Sequence, residues 1–273
     1  MNIYSRRLGV LLASLSVVLL LVPMQASANI SVSGSFTHVF KAEPGQALQG
    51  AVEVVNTGDA VAGARLYITD YMYYANGTVR YGDAGTEARS NAPWVVLRSE
   101  VVSVPPKGVV TVSYYISVPA QQLRGSYWSM IMVEEVKPPH GVAPVEASGQ
   151  VAVGIITRVR YGIQVITDLG EGAKDIAVTS AGLTRNEAGA AVLHLEVEGT
   201  GEARVQPRMA VWAYDGSGNN VGEFVGSRIS LLPGTSGRFS TVLEGLADGD
   251  YAVLVVLEDD DVSWGVQYDL QLR

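Results

Sequence analysis

After position 28 the apolar residues come in short alternating or β-branched runs. Almost every run ends in a cluster of glycine, proline, asparagine or aspartate. "SVSGSFTHVF", "GAVEVVN", "ARLYITDYMYY", "VVTVSYYISV", "SYWSMIMVEEV", "VAVGIITRVRYGIQVI", "AVLHLEVEG", "RMAVWAYD", "GRFSTVLEG" and "YAVLVVLED" are the runs; "EPGQ", "NTGD", "ANGT", "VPPKG", "GTGE", "DGSGNN", "LLPGTSG" and "LADGD" separate them. Residues two apart share one face of a strand, so this period builds strands. Many short strands spaced by turn signals specify an all-β sandwich or barrel. "YANGTVRY" is a hairpin signal, with Asn76 and Gly77 suited to the two positive φ angles of a type I′ turn. "SYWSMIMV" is apolar on both faces, which fits a strand packed on both sides.

The runs repeat. "GAVEVVNTGDAVAGARLYITD" is echoed by "AVLHLEVEGTGEARVQPRMAVWAYD", each a strand, a Thr-Gly turn, a second strand and an aspartate. "SVPPKGVVTVSYYISV…RGSYWSMIMVEE" is echoed by "SLLPGTSGRFSTVL…DGDYAVLVVLEDD". The first copy is longer by the hairpin around "YANGTVRY". The chain therefore reads as two related β-domains, residues 29–168 and 173–273, with "TDLGEGAKD" between them as linker. In each copy a Gly-x-Tyr opens a late strand, at Tyr127 and Tyr251. Each is either a tyrosine corner, its hydroxyl bonded back to a nearby turn, or a large residue lining a half-buried strand.

Residues 1–28 read as a cleaved signal peptide: Arg6 and Arg7, an apolar run of 15 residues, then Ala26-Ser27-Ala28. The run is short for a membrane span, and no stable membrane insertion is expected. Cleavage leaves 245 of 273 residues and takes the formal charge from −8 to −10. An acidic chain lacks the basic contacts on which nucleic-acid binding rests. An exported chain with no cysteine has no disulfide framework, so apolar cores must hold it.

Catalytic chemistry finds no residue set. His38, His140 and His194 fall in separate elements, and no HExxH or other ligand spacing supports a metal. No serine sits in a G-x-S-x-G elbow; Ser35 and Ser126 follow glycines at strand positions, where a serine is ordinarily a solvent-facing filler. There is no phosphate loop, and no cofactor is expected. "DGSGNNVGE" alternates oxygen-bearing residues, but Gly226 stands where a calcium loop needs glutamate, and a polar hairpin turn accounts for it. "EDDD", residues 258–261, reads as a solvated turn that blocks aggregation.

Three stretches carry a resemblance. "FKAEPGQALQGAVEVVNTGD" with its Val39-Phe40 pair, "VSVPPKGVVTVSYYISVPAQQLRGSYWSMIMVEE" and "VAVGIITRVRYG", together with the two-domain layout, resemble the periplasmic PapD-like chaperones of chaperone–usher pilus systems. The resemblance implies two tandem immunoglobulin-like β-sandwich domains after a cleaved signal peptide. It also implies a non-enzymatic periplasmic role in pilus or fimbrial assembly, with a pilus-like subunit or other exported β-protein as partner. In that family the last strand of the first domain donates alternate apolar side chains to a subunit lacking one strand. Backbone hydrogen bonds supply affinity and alternate side chains fill the groove. By position, Val151, Val153 and Ile155 would be donated, and Arg160, or else Arg158, would clamp the subunit's terminal carboxylate, a task suited to a guanidinium. Ser35 stands where the family places a second basic residue, and "YGIQVI" replaces its Tyr-Arg-Pro. The same residues also suit a long closing strand whose arginines reach to solvent. "NGTVRY", "VPPKG" and "VPAQQLRG" are similar to a pattern of Gram-positive surface β-domains, which implies instead a structural or adhesive cell-surface protein. The edge of the Val151–Ile155 strand, open or covered, separates the two readings.

Overall fold

The computed structural model describes residues 29–136 and 159–273. The expected leader, the donor residues Val151, Val153 and Ile155, and Arg158 lie outside the described residues. The first ten strands are β1 (Ile30–Ser33), β2 (Thr37–Ala42), β3 (Ala47–Asn56), β4 (Ala62–Tyr73), β5 (Val79–Gly82), β6 (Val95–Leu97), β7 (Val101–Val104), β8 (Val109–Ser117), β9 (Gly125–Val136) and β10 (Arg160–Leu169). Seven follow: β11 (Ile176–Arg185), β12 (Ala191–Gly199), β13 (Arg208–Tyr214), β14 (Asn220–Arg228), β15 (Ser236–Val242), β16 (Gly249–Asp259) and β17 (Val262–Leu272). No helix among the described residues is long and apolar enough to cross a membrane.

These strands make two immunoglobulin-like sandwiches in tandem. In the first, sheet β1-β3-β8-β6 faces sheet β2-β10-β9-β4-β5, with β7 paired to β4. In the second, sheet β11-β12-β15 faces sheet β14-β13-β16-β17. β3, β4, β8 and β9 hold the places in the first sandwich that β12, β13, β15 and β16 hold in the second, which is the repeat read in the sequence. The inward residues of each sandwich close a separate core. Val54, Leu66, Tyr114, Ile131 and Ile163 are buried in one; Leu195, Val211, Phe239 and Val255 in the other. Zero cysteines leave this burial as the main source of stability.

Several local expectations are corrected. "SVSGSFTHVF" is two strands in two sheets: Gly34 takes φ +87, and the chain crosses from β1 to β2 over residues 34–36. Ser35 therefore lies in the crossing, not in a strand. The Asn76-Gly77 hairpin forms, but only Gly77 has positive φ. Gly77 N–H donates to Tyr74 O and Tyr74 N–H to Thr78 O, a three-residue loop with glycine in the left-handed position. "DGSGNN" uses the same loop, with Asp215 accepting from the N–H groups of Ser217 and Asn219. The expected linker begins too early, because Thr167, Asp168 and Leu169 are the end of β10. Tyr251 is a tyrosine corner, its hydroxyl donating to Ala247 O at 3.0 Å. Tyr127 is not; its ring packs on Trp94 and under Arg89.

Candidate functional site

β10 is flanked on one side by β9, in ten antiparallel pairs from Arg160↔Glu134 to Leu169↔Gly125. On the other side β2 runs parallel to it, but only from Gln164↔Thr37 to Leu169↔Ala42. Gln164 N–H donates to Phe36 O at 2.8 Å, and there the ladder stops. Arg160, Tyr161, Gly162 and Ile163 have no strand beside them on that side among the described residues. The cause is the crossing at residues 34–36. Gly34 turns the chain away, and Ser35 Oγ fixes the turn by accepting from Thr37 N–H at 3.1 Å and donating to Thr37 O at 2.7 Å. An early glycine thus opens the edge of a strand more than a hundred residues later.

Exposed apolar side chains surround this edge, which itself carries Arg160. Phe36, Val39 and Val159 are 46%, 43% and 56% exposed, and the Phe36 ring lies 6.4 Å from that of Tyr161. Proteins normally blunt such an edge with charge or proline, since unpaired backbone groups template another strand. Along β10 the odd residues face the core: Ile163, Val165, Thr167 and Leu169 are buried. The even residues face outward, and Met130 lies across Gly162, where any Cβ would collide with its sulfur.

Arg160 is on the outward face. Its Nε lies 3.5 Å from Glu134 Oε2, and the guanidinium borders a shallow depression with Tyr67, Thr69, Tyr81, Asp83 and Met132. The expected clamp is thus already ion-paired, with an exposed guanidinium and a largely covered carboxylate.

At the far end of β10 the two sandwiches lock together. Ser126 is no solvent-facing filler: it is buried, its hydroxyl donates to Asp168 Oδ1 at 2.5 Å, and it accepts from Arg204 N–H at 2.8 Å. Ser126 N–H donates to Glu202 O, and Arg124 pairs with the Glu202 carboxylate at 2.9 Å. Tyr71, Met72, Trp128, Ile166 and Leu232 form a small dry cluster between the sandwiches. The cleft beside it, about 520 Å³, is lined by Lys41, Asp168, Lys174, Arg204 and Asp259 to Asp261. Its charges largely satisfy one another. Lys174 donates to Asp261 at 2.6 Å and lies 3.6 Å from Asp259; these acids hold its pKa up, and the same bond holds that of Asp261 down. Arg204 lies 3.6 Å from Asp168, yet its buried Nε has no hydrogen-bond partner among the described residues.

His38 and His194 are structural, and His140 lies outside the described residues. His38 Nδ1 meets the Tyr114 hydroxyl at 2.6 Å inside the first sandwich, and burial holds its pKa below the ordinary histidine value. His194 Nε2 meets Thr184 Oγ1 at 2.7 Å. Among the described residues no three histidine, aspartate or glutamate side chains form a group able to hold a metal.

Fold and edge define a two-sandwich immunoglobulin-like protein whose β10 is unpaired on one side at residues 160–163 among the described residues. No family model matches the chain, and no curated protein matches it. Solved structures similar to it include a chaperone–tip adhesin complex of CFA/I fimbriae biogenesis, at 12% identity and TM-score 0.48, covering 90% of this chain and 100% of that one. The class 5 fimbriae chaperone CfaA is similar at 12% identity and TM-score 0.45, covering 88% and 98%. The CupB2 chaperone of Pseudomonas aeruginosa is similar at 11% identity and TM-score 0.39, covering 89% and 100%.

Proposed function

We propose that the chain is a periplasmic, non-enzymatic binding protein that caps a strand-deficient exported subunit, such as a pilus-like subunit, by adding its own β-strand to it. The observation that carries this reading is the edge of β10 at residues 160–163, unpaired on one side among the described residues and flanked by the exposed Phe36 and Val159. Period two carried upstream along the sequence gives Val151, Val153 and Ile155 the parity of Tyr161 and Ile163. In this reading those three side chains fill the subunit's groove, and backbone hydrogen bonds along the edge supply affinity. Arg160, or else Arg158, grips the subunit's terminal carboxylate. Arg160 is the exposed partner of its pair with Glu134, so its guanidinium can reach a second carboxylate from the solvent side. The same reading assigns residues 29–168 to the binding domain and 173–273 to a second domain held rigidly behind it.

The test is co-purification of the tagged chain from periplasm. Wild type should carry an exported β-protein that Val153→Asp loses and Arg160→Ala retains weakly. A partner profile unchanged in both variants refutes the mechanism and leaves the structural or adhesive reading.

A further inference from the structure

The second sandwich buries one face of the sheet β14-β13-β16-β17 and leaves an apolar patch in the middle of the other. Met209, Val211, Ala213, Val253, Val255 and Leu257 are fully buried or nearly so, so the alternate residues of β13 and β16 face away from the core. Those residues are Ala210, Trp212 and Tyr214 on β13, and Ala252, Leu254 and Val256 on β16. The pairings set them in rows. Val225, Ala210, Val256 and Gly265 form one; Glu223, Trp212, Leu254 and Gln267 form the next. Val225 is 66% exposed and Leu254 37%. The solvent side of an antiparallel sheet is ordinarily polar, and a contiguous apolar patch there marks an interaction surface.

The charges at its corners say what covers it. At one end Glu258 faces Arg208 from β16, and Arg208 and Arg228 stand directly opposite each other, which leaves Arg228 at the corner as the charge in excess. Arg228 has no ion-pair partner among the described residues; its Nε donates only to Gln206 O. At the diagonally opposite corner Asp269, paired with Ala252, is likewise without an ion-pair partner among the described residues. The diagonal spans three strand spacings of about 4.8 Å and six residues of about 3.3 Å, roughly 25 Å in all. A two-fold axis lying in the face, perpendicular to this diagonal, reverses it. Each Arg228 then meets Asp269 of a second copy, twice over, with Trp212, Leu254 and Val256 between them. Isologous contacts have this self-complementary form, and the strands cross steeply, as in orthogonal sheet packing.

We propose that this face is a self-association surface on which two copies of the chain pack about such an axis. Its footprint, about 400 Å² per copy from the same spacings, is small beside the ~800 Å² per partner of stable complexes, so the dimer is weak and concentration-dependent. The proposal is independent of the strand-donation reading, since it uses neither β2 nor β10.

Sedimentation velocity of the purified chain over a wide concentration range tests it. Wild type should shift from monomer to dimer as concentration rises. Leu254→Lys should stay monomeric, and R228D and D269R should each weaken dimerisation about tenfold. The double variant R228D/D269R should regain wild-type association to within about threefold, because the exchanged charges meet again across the axis. The two charge variants are exposed substitutions and keep the test open if Leu254→Lys fails to fold. A wild type monomeric throughout, or a double variant no better than the singles, overturns the proposal. So does a monomeric wild type retained on an insoluble polysaccharide and released by Trp212→Ala, which makes the face a glycan platform instead.

Discussion

Gly125 opens β9 at the point where the two sandwiches meet. It has φ +81, and a Cβ built on it falls within van der Waals contact of the Glu202 backbone, 2.7 Å from the carbonyl carbon and closer to the oxygen. Gly125→Ala therefore meets two separate penalties. The left-handed backbone costs an L-residue about 1–2 kcal/mol. The collision is with main chain, so no rotamer relieves it, and the segment at Glu202 must retreat by roughly 1 Å to reach normal contact distance. That retreat loosens Ser126 N–H to Glu202 O, and beside it Arg204 N–H to Ser126 Oγ, both 2.8 Å. Each such bond contributes about 1 kcal/mol net. The expected total is about 3–4 kcal/mol.

Gly77→Ala isolates the first penalty. Gly77 has φ +83, and a Cβ there meets nothing within 4 Å. Its expected cost is the strain alone, about 1–2 kcal/mol. Urea unfolding followed by tryptophan fluorescence should thus separate the two variants by about 2 kcal/mol, with Gly125→Ala the less stable. In Gly125→Ala the sandwiches should also unfold in two resolved steps, because the loss falls on the contact that couples them. Equal losses in the two variants refute the claim that the junction is a close-fitted backbone contact.

Three smaller effects follow from the same geometry. Tyr251→Phe should lose about 1 kcal/mol of unfolding free energy with its bond to Ala247 O, while Tyr127→Phe, without a corner bond, should lose almost none. Asp70 is buried and accepts from Ser90 Oγ at 2.5 Å and Glu87 N–H at 2.8 Å; Asp70→Ala should destabilise by about 2–3 kcal/mol and open residues 83–90 to limited proteolysis. Burial depresses the folded pKa of His38, so the unfolded chain takes up its proton first. The stability His38 contributes is complete above about pH 6.5 and falls away as pH drops through the folded pKa. Urea titrations at stepped pH should show that slope in wild type, and His38→Gln should lack it.

What was legible in the sequence was whatever side-chain periodicity records. The alternating runs located β3, β4, β8, β9, β12, β13, β15 and β16, because each places one face against a core. β11 leaves no such trace. Residues 179–185 are exposed on both faces, and the strand is held by its backbone pairing to β12. The open edge was hidden for a related reason. Which strand lies beside β10, and how far along it, depends on the bend at Gly34; periodicity within β10 reports only which side chains point inward. The pairing of Arg160 with Glu134 is equally a matter of register across strands, so the sequence offered the arginine but not its partner.

The extra hairpin of the first domain shows how far the repeat carries. Asp70 and Asp215 close matching segments of the two copies, yet Asp215 caps its own tight turn while Asp70 organises an inserted loop. Read as sequence, the insertion was only a difference in length. In the structure it is the arm that fixes one sandwich to the other. Tyr73 Oη donates to Ser230 O at 2.8 Å, Ala75 N–H to Ser236 Oγ at 2.9 Å, and Trp128 Nε1 closes the cluster on Tyr71 O at 3.0 Å. A readable signal for this did exist in "DYMYY" and "SYWSMIMV". Each is apolar on both faces, and a strand apolar on both faces must be covered on both. One sandwich covers a single face of its sheet. The second cover has to come from elsewhere in the chain, and the two-domain repeat had already supplied the candidate. The aromatic residues of the insertion are therefore the first sandwich's part of that cover, packed and hydrogen-bonded against Ser230, Leu232 and Ser236 of the second.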